Sequence, residues 1–176
     1  MKRNIRFFAV CLLAGHVFFF GCATGNHGRQ RVLTAYMDNG YLKYYIRPEK
    51  MESTEYKKDK AFVMIDFSYQ KENREYVSDA YVNFTLHYAT DAYITKAFFS
   101  CNDEVIPLSN IRTLDRNVSE KYIRISTIAQ KTDIGRLLDN LKAQKGVLEI
   151  SLENGETKSF VPTASLVERI EEAFGK

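Results

Sequence analysis

Polar and apolar residues alternate with period two along two stretches of the chain. In residues 61–69, Ala61, Val63, Ile65, Phe67 and Tyr69 share one face, with Asp66 and Ser68 on the other. In residues 80–88, Ala80, Val82, Phe84, Leu86 and Tyr88 face away from Tyr81, Asn83, Thr85 and His87. Successive side chains of an extended chain point to opposite faces, so this period predicts two half-buried strands. The polar residues 70–75 between them suit the tip of an antiparallel hairpin. Residues 41–47, 93–101 and 122–128 are rich in aromatic and β-branched side chains and predict further strands, the first ending at Pro48.

Toward the C-terminus the period changes to that of a helix. Ile134, Leu137, Leu138 and Leu141 form one stripe, Thr132 can cap it, Asp133 lies near its positive end, and Lys142 and Lys145 near its negative end, with Gly146 as the stop. Leu148, Ile150 and Leu152 then form one face of a strand that turns back through Asn154-Gly155. A three-residue loop with Gly155 left-handed brings Phe160 alongside Leu148 or Ile150, whereas a two-residue loop would set it opposite Glu149; face matching favours the longer loop. A last helix follows Pro162, with Ser165 to Glu168 as a capping box and Val167, Ile170 and Phe174 on its buried face. This helix, strand, Asn-Gly, strand, helix order over residues 132–174 is similar to the C-terminal part of invasion-associated locus B proteins, although the disulfides of that family have no counterpart here. The expected fold is mostly β, an antiparallel β-sandwich or curved sheet with two short helices near the C-terminal end.

The N-terminal pattern belongs to a different kind of segment. Lys2, Arg3 and Arg6 precede an apolar run over residues 7–20 that only His16 interrupts, the layout of a signal peptide. As a helix the run would reach roughly 21 Å, short of the roughly 30 Å core a stable transmembrane helix must cross. It closes on Phe19-Phe20-Gly21-Cys22-Ala23, which resembles the lipobox of bacterial lipoprotein precursors. The resemblance implies cleavage between Gly21 and Cys22 by signal peptidase II, with diacylglycerol on the Cys22 thiol and an acyl chain such as palmitate on its amine. Phe19 stands where Leu is commonest in that motif and Phe20 where Ser or Ala is usual. Gly21-Cys22-Ala23 also satisfies the small-x-small rule of ordinary signal peptidase, which would cut after Ala23 and release a soluble exported chain. An uncleaved N-terminal anchor is the third alternative. Two acyl signals hold a protein stably at a membrane where one does not. The expected organisation is a signal peptide over residues 1–21, a lipidated N-terminus and flexible tether over residues 22–35, and one globular domain over residues 36–176.

Cleavage changes the electrostatic picture. Of the 25 Lys and Arg, Lys2, Arg3 and Arg6 precede Cys22, and none of the 22 Asp and Glu does, so the formal charge of +3 becomes zero in the processed chain. No phosphate-neutralising excess is left, and nucleic acid is set aside as a partner. Of the three cysteines only Cys101 would remain free in the domain, so no intrachain disulfide is available and the fold must rest on its core. A buried, inert Cys101 is the expectation.

Candidate chemistry is sparse. His87 is the only histidine in the expected domain, since His16 lies in the signal peptide and His27 in the tether; a structural histidine is expected there, a general base being the alternative. Metal-ligand spacings, nucleotide loops and hydrolase motifs are absent, and no metal or cofactor is expected. Asp66, Asp79, Asp91 and Asp103 are expected to be solvated. The charge-mixed run 49–60 reads as a solvated loop. All eleven tyrosines follow Cys22; Tyr44, Tyr45, Tyr81 and Tyr93 are candidates for a recognition face, with core and strand-flanking roles the expected use of most. The expectation is a membrane-anchored envelope lipoprotein, non-enzymatic, whose β domain binds or scaffolds an envelope protein, an extracellular partner or a small ligand. The alternative is an envelope hydrolase with a carboxylate or Ser/His87 site. Ala23 stands where Asp would imply inner-membrane retention, so the outer membrane or cell surface is favoured.

Overall fold

The computed structural model describes residues 32–55, 61–88, 90–101 and 104–174, and Arg31–Lys176 form one compact unit. The expected signal peptide, Gly21, Cys22, the tether as far as residue 31, and Asp103 lie outside the described residues. The strands are β1 (Val32–Tyr36), β2 (Leu42–Ser53), β3 (Phe62–Glu72), β4 (Glu75–Tyr76), β5 (Ala80–His87), β6 (Ile94–Cys101), β7 (Glu104–Pro107), β8 (Ser109–Asn117), β9 (Tyr122–Ala129), β10 (Gly146–Leu152) and β11 (Thr157–Pro162); the helices are α1 (Lys131–Lys142) and α2 (Ala164–Phe174).

All strands join one antiparallel sheet in the order β7-β6-β10-β11-β2-β3-β5-β9-β8, with β1 beside β2 and β4 beside β3. The two ends of that order are neighbours in the chain, because only Leu108 separates β7 from β8. One stretch therefore pairs with β6 through its first half and with β9 through its second. The sheet curls into a near-barrel, the curved form of the expected fold, and α1 and α2 pack at one end.

The inner wall follows the alternation. Val63, Ile65, Phe67 and Tyr69 on β3 are buried, and Ile65 and Phe67 pair with Phe84 and Val82 on β5. Each such side chain contributes roughly 1.5–3 kcal/mol by leaving water. The C-terminal hairpin has the expected three-residue loop: Gly155 has φ 88°, Leu152 N–H donates to the Glu156 carbonyl at 2.8 Å, and Phe160 pairs with Leu148.

Several local expectations are corrected. β1 begins at Val32, within the expected tether, because Val32 is buried and β1 pairs residue by residue with Leu42–Ile46. β2 does not stop at Pro48. Its register slips between Ile46 and Glu49, so Arg47 and Pro48 together oppose Asp66, and this bulge excuses the missing proline N–H. Residues 49–53 of the expected loop 49–60 are consequently strand, with Met51 fully buried.

Thr132 does not cap α1. Asp79, distant in sequence, accepts the Lys131 N–H at 2.9 Å. At the other end Gln144, at φ 57°, takes the left-handed position; its N–H reaches the Leu141 carbonyl and that of Lys145 the Asn140 carbonyl. Gly146 instead opens β10 where a Cβ would sit 3.1 Å from the Leu141 side chain. Thr163, not Ser165, caps α2, its hydroxyl accepting the Leu166 N–H at 3.4 Å. The buried face of α2 is Leu166, Ile170 and Ala173; Val167 is half-buried and Phe174 exposed. Ser165 donates to Glu49 at 2.6 Å, and the Arg169 guanidinium pairs with the same carboxylate, fastening α2 to β2.

Candidate functional site

The inner column of β3 changes character toward the end where the helices pack: aliphatic at Val63 and Ile65, aromatic at Phe67 and Tyr69, and cationic at Lys71. Lys71 is half-buried and lies in register between Leu42 of β2 and Tyr76 of β4. One step inward, Tyr44 and Tyr69 are register partners whose rings stack at 5.2 Å with 10° between their planes. Tyr76 meets Tyr69 edge-on at 5.4 Å. Phe174, the last residue of α2, completes the surround.

The Lys71 ammonium lies 4.8 Å from the centroid of Tyr76, 5.4 Å from those of Tyr44 and Phe174, and 5.6 Å from that of Tyr69. Ring faces carry negative quadrupole potential, so each attracts the ammonium by about 0.5–2 kcal/mol depending on desolvation. They offer no carboxylate, and the Lys71 ammonium makes no ion pair or hydrogen bond among the described residues. Burial pushes its pKa below the ordinary lysine value, partly countered by Asp139. Burial, with Asp139 and Tyr44 adding to it, raises the Tyr76 phenol to about 12, and burial raises Tyr69 as well. Both phenols therefore remain hydrogen-bond donors at neutral pH.

These groups border a cleft of about 690 Å³ between the barrel rim and the helices, lined by Leu42, Tyr44, Lys71, Asn73, Arg74, Tyr76, Gly135, Asp139 and Phe174. That is within the roughly 300–1,000 Å³ usual for small-molecule sites. Two backbone features shape it. Asn73 and Arg74 both have positive φ, 46° and 75°, forming a tight two-residue turn that sets Arg74 at the rim. Gly135 lets α1 approach the Tyr76 ring, where a Cβ would lie 3.4 Å from it. Lys142 lies 5.5 Å from the other ring contact of the rim, Phe174.

The residues singled out from sequence are scattered. Tyr44 enters the cleft, Tyr45 takes the opposite face of β2, and Tyr81 and Tyr93 are exposed elsewhere. Asp66 is buried rather than solvated, bonded to Asn83 at 2.8 Å and to Arg124 at 3.2 Å. Asp79 is the α1 cap, and the Arg116 guanidinium donates to the Asp91 backbone carbonyl while lying over the Tyr93 ring. His87 stacks on Phe62 at 4.3 Å with Tyr122 beyond, and burial lowers its pKa; no hydroxyl or carboxylate is hydrogen-bonded to it among the described residues. Cys101 is buried and its thiol pKa raised by that burial. Among the described residues no His, Cys, Asp or Glu cluster could hold a metal, and no helix is long and apolar enough to cross a membrane.

Lys71, Tyr69, Tyr76, Asp139 and Phe174 were not visible as a site in the sequence. Extending the alternation of residues 61–69 by one more step would have put Lys71 on the inner wall. The chain thus defines an antiparallel near-barrel with an aromatic, lysine-centred cleft under two helices. No protein family, curated protein or solved structure matches it.

Proposed function

We propose that this chain is the precursor of a lipid-anchored cell-envelope protein, and that its barrel is a binding module acting through the Lys71 cleft. The signal-peptide layout and Gly21-Cys22 support the anchor, with the outer membrane or surface as its site. The observation that carries the binding role is the convergence on one open cleft of four aromatic rings and a lysine that has no ion-pair partner among the described residues. A hydrolytic site would need a nucleophile or paired carboxylates aligned with a base, and the cleft supplies a single carboxylate, Asp139. The anchor is tested by intact mass and detergent partitioning of protein from native membranes, wild type beside Cys22→Ser. A chain beginning at Cys22 with added acyl mass, and loss of processing and membrane association in the variant, is the expected result. An unmodified chain beginning at Thr24 in the aqueous phase would overturn it.

A further inference from the structure

The cleft has a sign. Lys71 stands at its centre and Arg74 at its rim, and Lys142 reaches the ring of Phe174; Asp139 is the one carboxylate in the lining. A cationic ligand would have to displace Lys71 from its rings while facing two more cations. An anion meets the opposite situation. The ring faces attract the ammonium without supplying an acceptor, and charge-assisted hydrogen bonds are about twice as strong as neutral ones. The cleft is also far larger than a free carboxylate or phosphate group needs, and much of the remaining wall is apolar: Leu42, Tyr44 and Phe174.

We infer that the cleft binds a small organic anion, its carboxylate or phosphate on Lys71 and Arg74 and its flat or apolar body against Tyr44, Tyr76 and Phe174. This rests on the cleft being the protein's binding site. Tyr76 adds a neutral donor to the anion.

The test is titration of the whole chain in detergent, with 13Cε-labelled lysine, against benzoate, phenyl phosphate, benzyl alcohol and benzyltrimethylammonium. Four surrounding rings should set the Lys71 signal apart by their ring currents, and its loss in Lys71→Met identifies it. Benzoate and phenyl phosphate are expected to move that signal and to bind about tenfold or more tightly than benzyl alcohol. Followed on the 13Cε signal of Lys142, which lies against Phe174 and is kept in both variants, Lys71→Met should lose that margin while keeping its affinity for benzyl alcohol, and Lys71→Arg should keep part of it. Retained benzyl alcohol affinity shows that the variant cleft is intact. Preference for benzyltrimethylammonium, or benzoate affinity unchanged in Lys71→Met, would overturn the anion assignment and leave the binding module standing. Failure of all four probes to bind would overturn both.

Discussion

Two lysines on the inner wall of the barrel, at opposite ends of β2, meet different fates. Lys158 of β11 pairs across from Ile150 of β10, beyond the Phe160–Ser53 pair, and its ammonium is 3.1 Å from the Glu55 carboxylate and 4.7 Å from the Tyr88 ring. Lys71, at the other end of β2, has four rings and, among the described residues, no carboxylate in contact. A charge taken from water needs compensation. At Lys158 a carboxylate supplies it and the charge is spent on structure. At Lys71 the compensation is partial and the cleft stays open to an incoming group, so two residues of the same type on one wall differ in availability.

The strongest way to break the contrast is to release the helix that carries Phe174. Glu49→Ala leaves Arg169 and Ser165 without their shared acceptor and should cost about 3 kcal/mol, the scale for removing one member of a largely buried pair. Chemical denaturation would measure the loss, and the Lys71 13Cε signal should shift as Phe174 leaves; an unchanged midpoint would show that the pair does not fasten α2. The contrast is sharpened by limited acetylation with peptide mass mapping. Lys71, with its lowered pKa and open cleft, should react about tenfold faster than Lys158, whose side chain is 8% exposed. Faster modification of Lys158 would reverse the comparison.

Alkaline pH acts on the Lys71 end with two signs. A lysine whose folded pKa is lowered binds fewer protons folded than unfolded, so its contribution rises with pH until the unfolded value of 10.5 is passed. Tyr76 acts oppositely: its folded pKa of about 12 lies above the unfolded 10.0, so its contribution is full below pH 10.0 and is lost as pH climbs to about 12. Net stability should fall above pH 10, and Tyr76→Phe should flatten the fall in pH-dependent denaturation; an identical profile would remove Tyr76 from the account. The smallest effect is expected at the other end. Glu55→Gln should cost a few tenths of a kcal/mol, because that carboxylate is half exposed and its pairing is screened. A loss as large as that of Glu49→Ala would mean that Glu55 is no ordinary rim charge.

The parts of the fold legible in sequence are those set by local period. The alternations through Phe67 and Phe84, the stripe ending at Leu141 and the left-handed Gly155 all report nearest-neighbour geometry, and each is found in place. What escaped depends on partners far along the chain. Asp79 caps a helix 52 residues away, Pro48 is tolerated because of a bulge opposite Asp66, and Glu49 is buried by Ser165 and Arg169. β8 carries mostly exposed residues and two register shifts, so no hydrophobic period marks it. The cleft escaped for the same reason, since Lys71 reads as the start of a polar turn until Phe174, more than 100 residues later, is laid over it.

The pairing of β11 with β2 has a consequence for the order of assembly. Phe160 and Ser53 are joined edge to edge across 107 residues, whereas β6 with β7 and β8 with β9 are joined between neighbours in the chain. Loop closure over such a span costs more entropy than a hairpin and forms late. A chain delivered from its N-terminus holds residues 51–53 of β2 as an unmatched edge until β11 arrives, so a truncation before β11 would leave a sticky intermediate in place of a slightly smaller barrel.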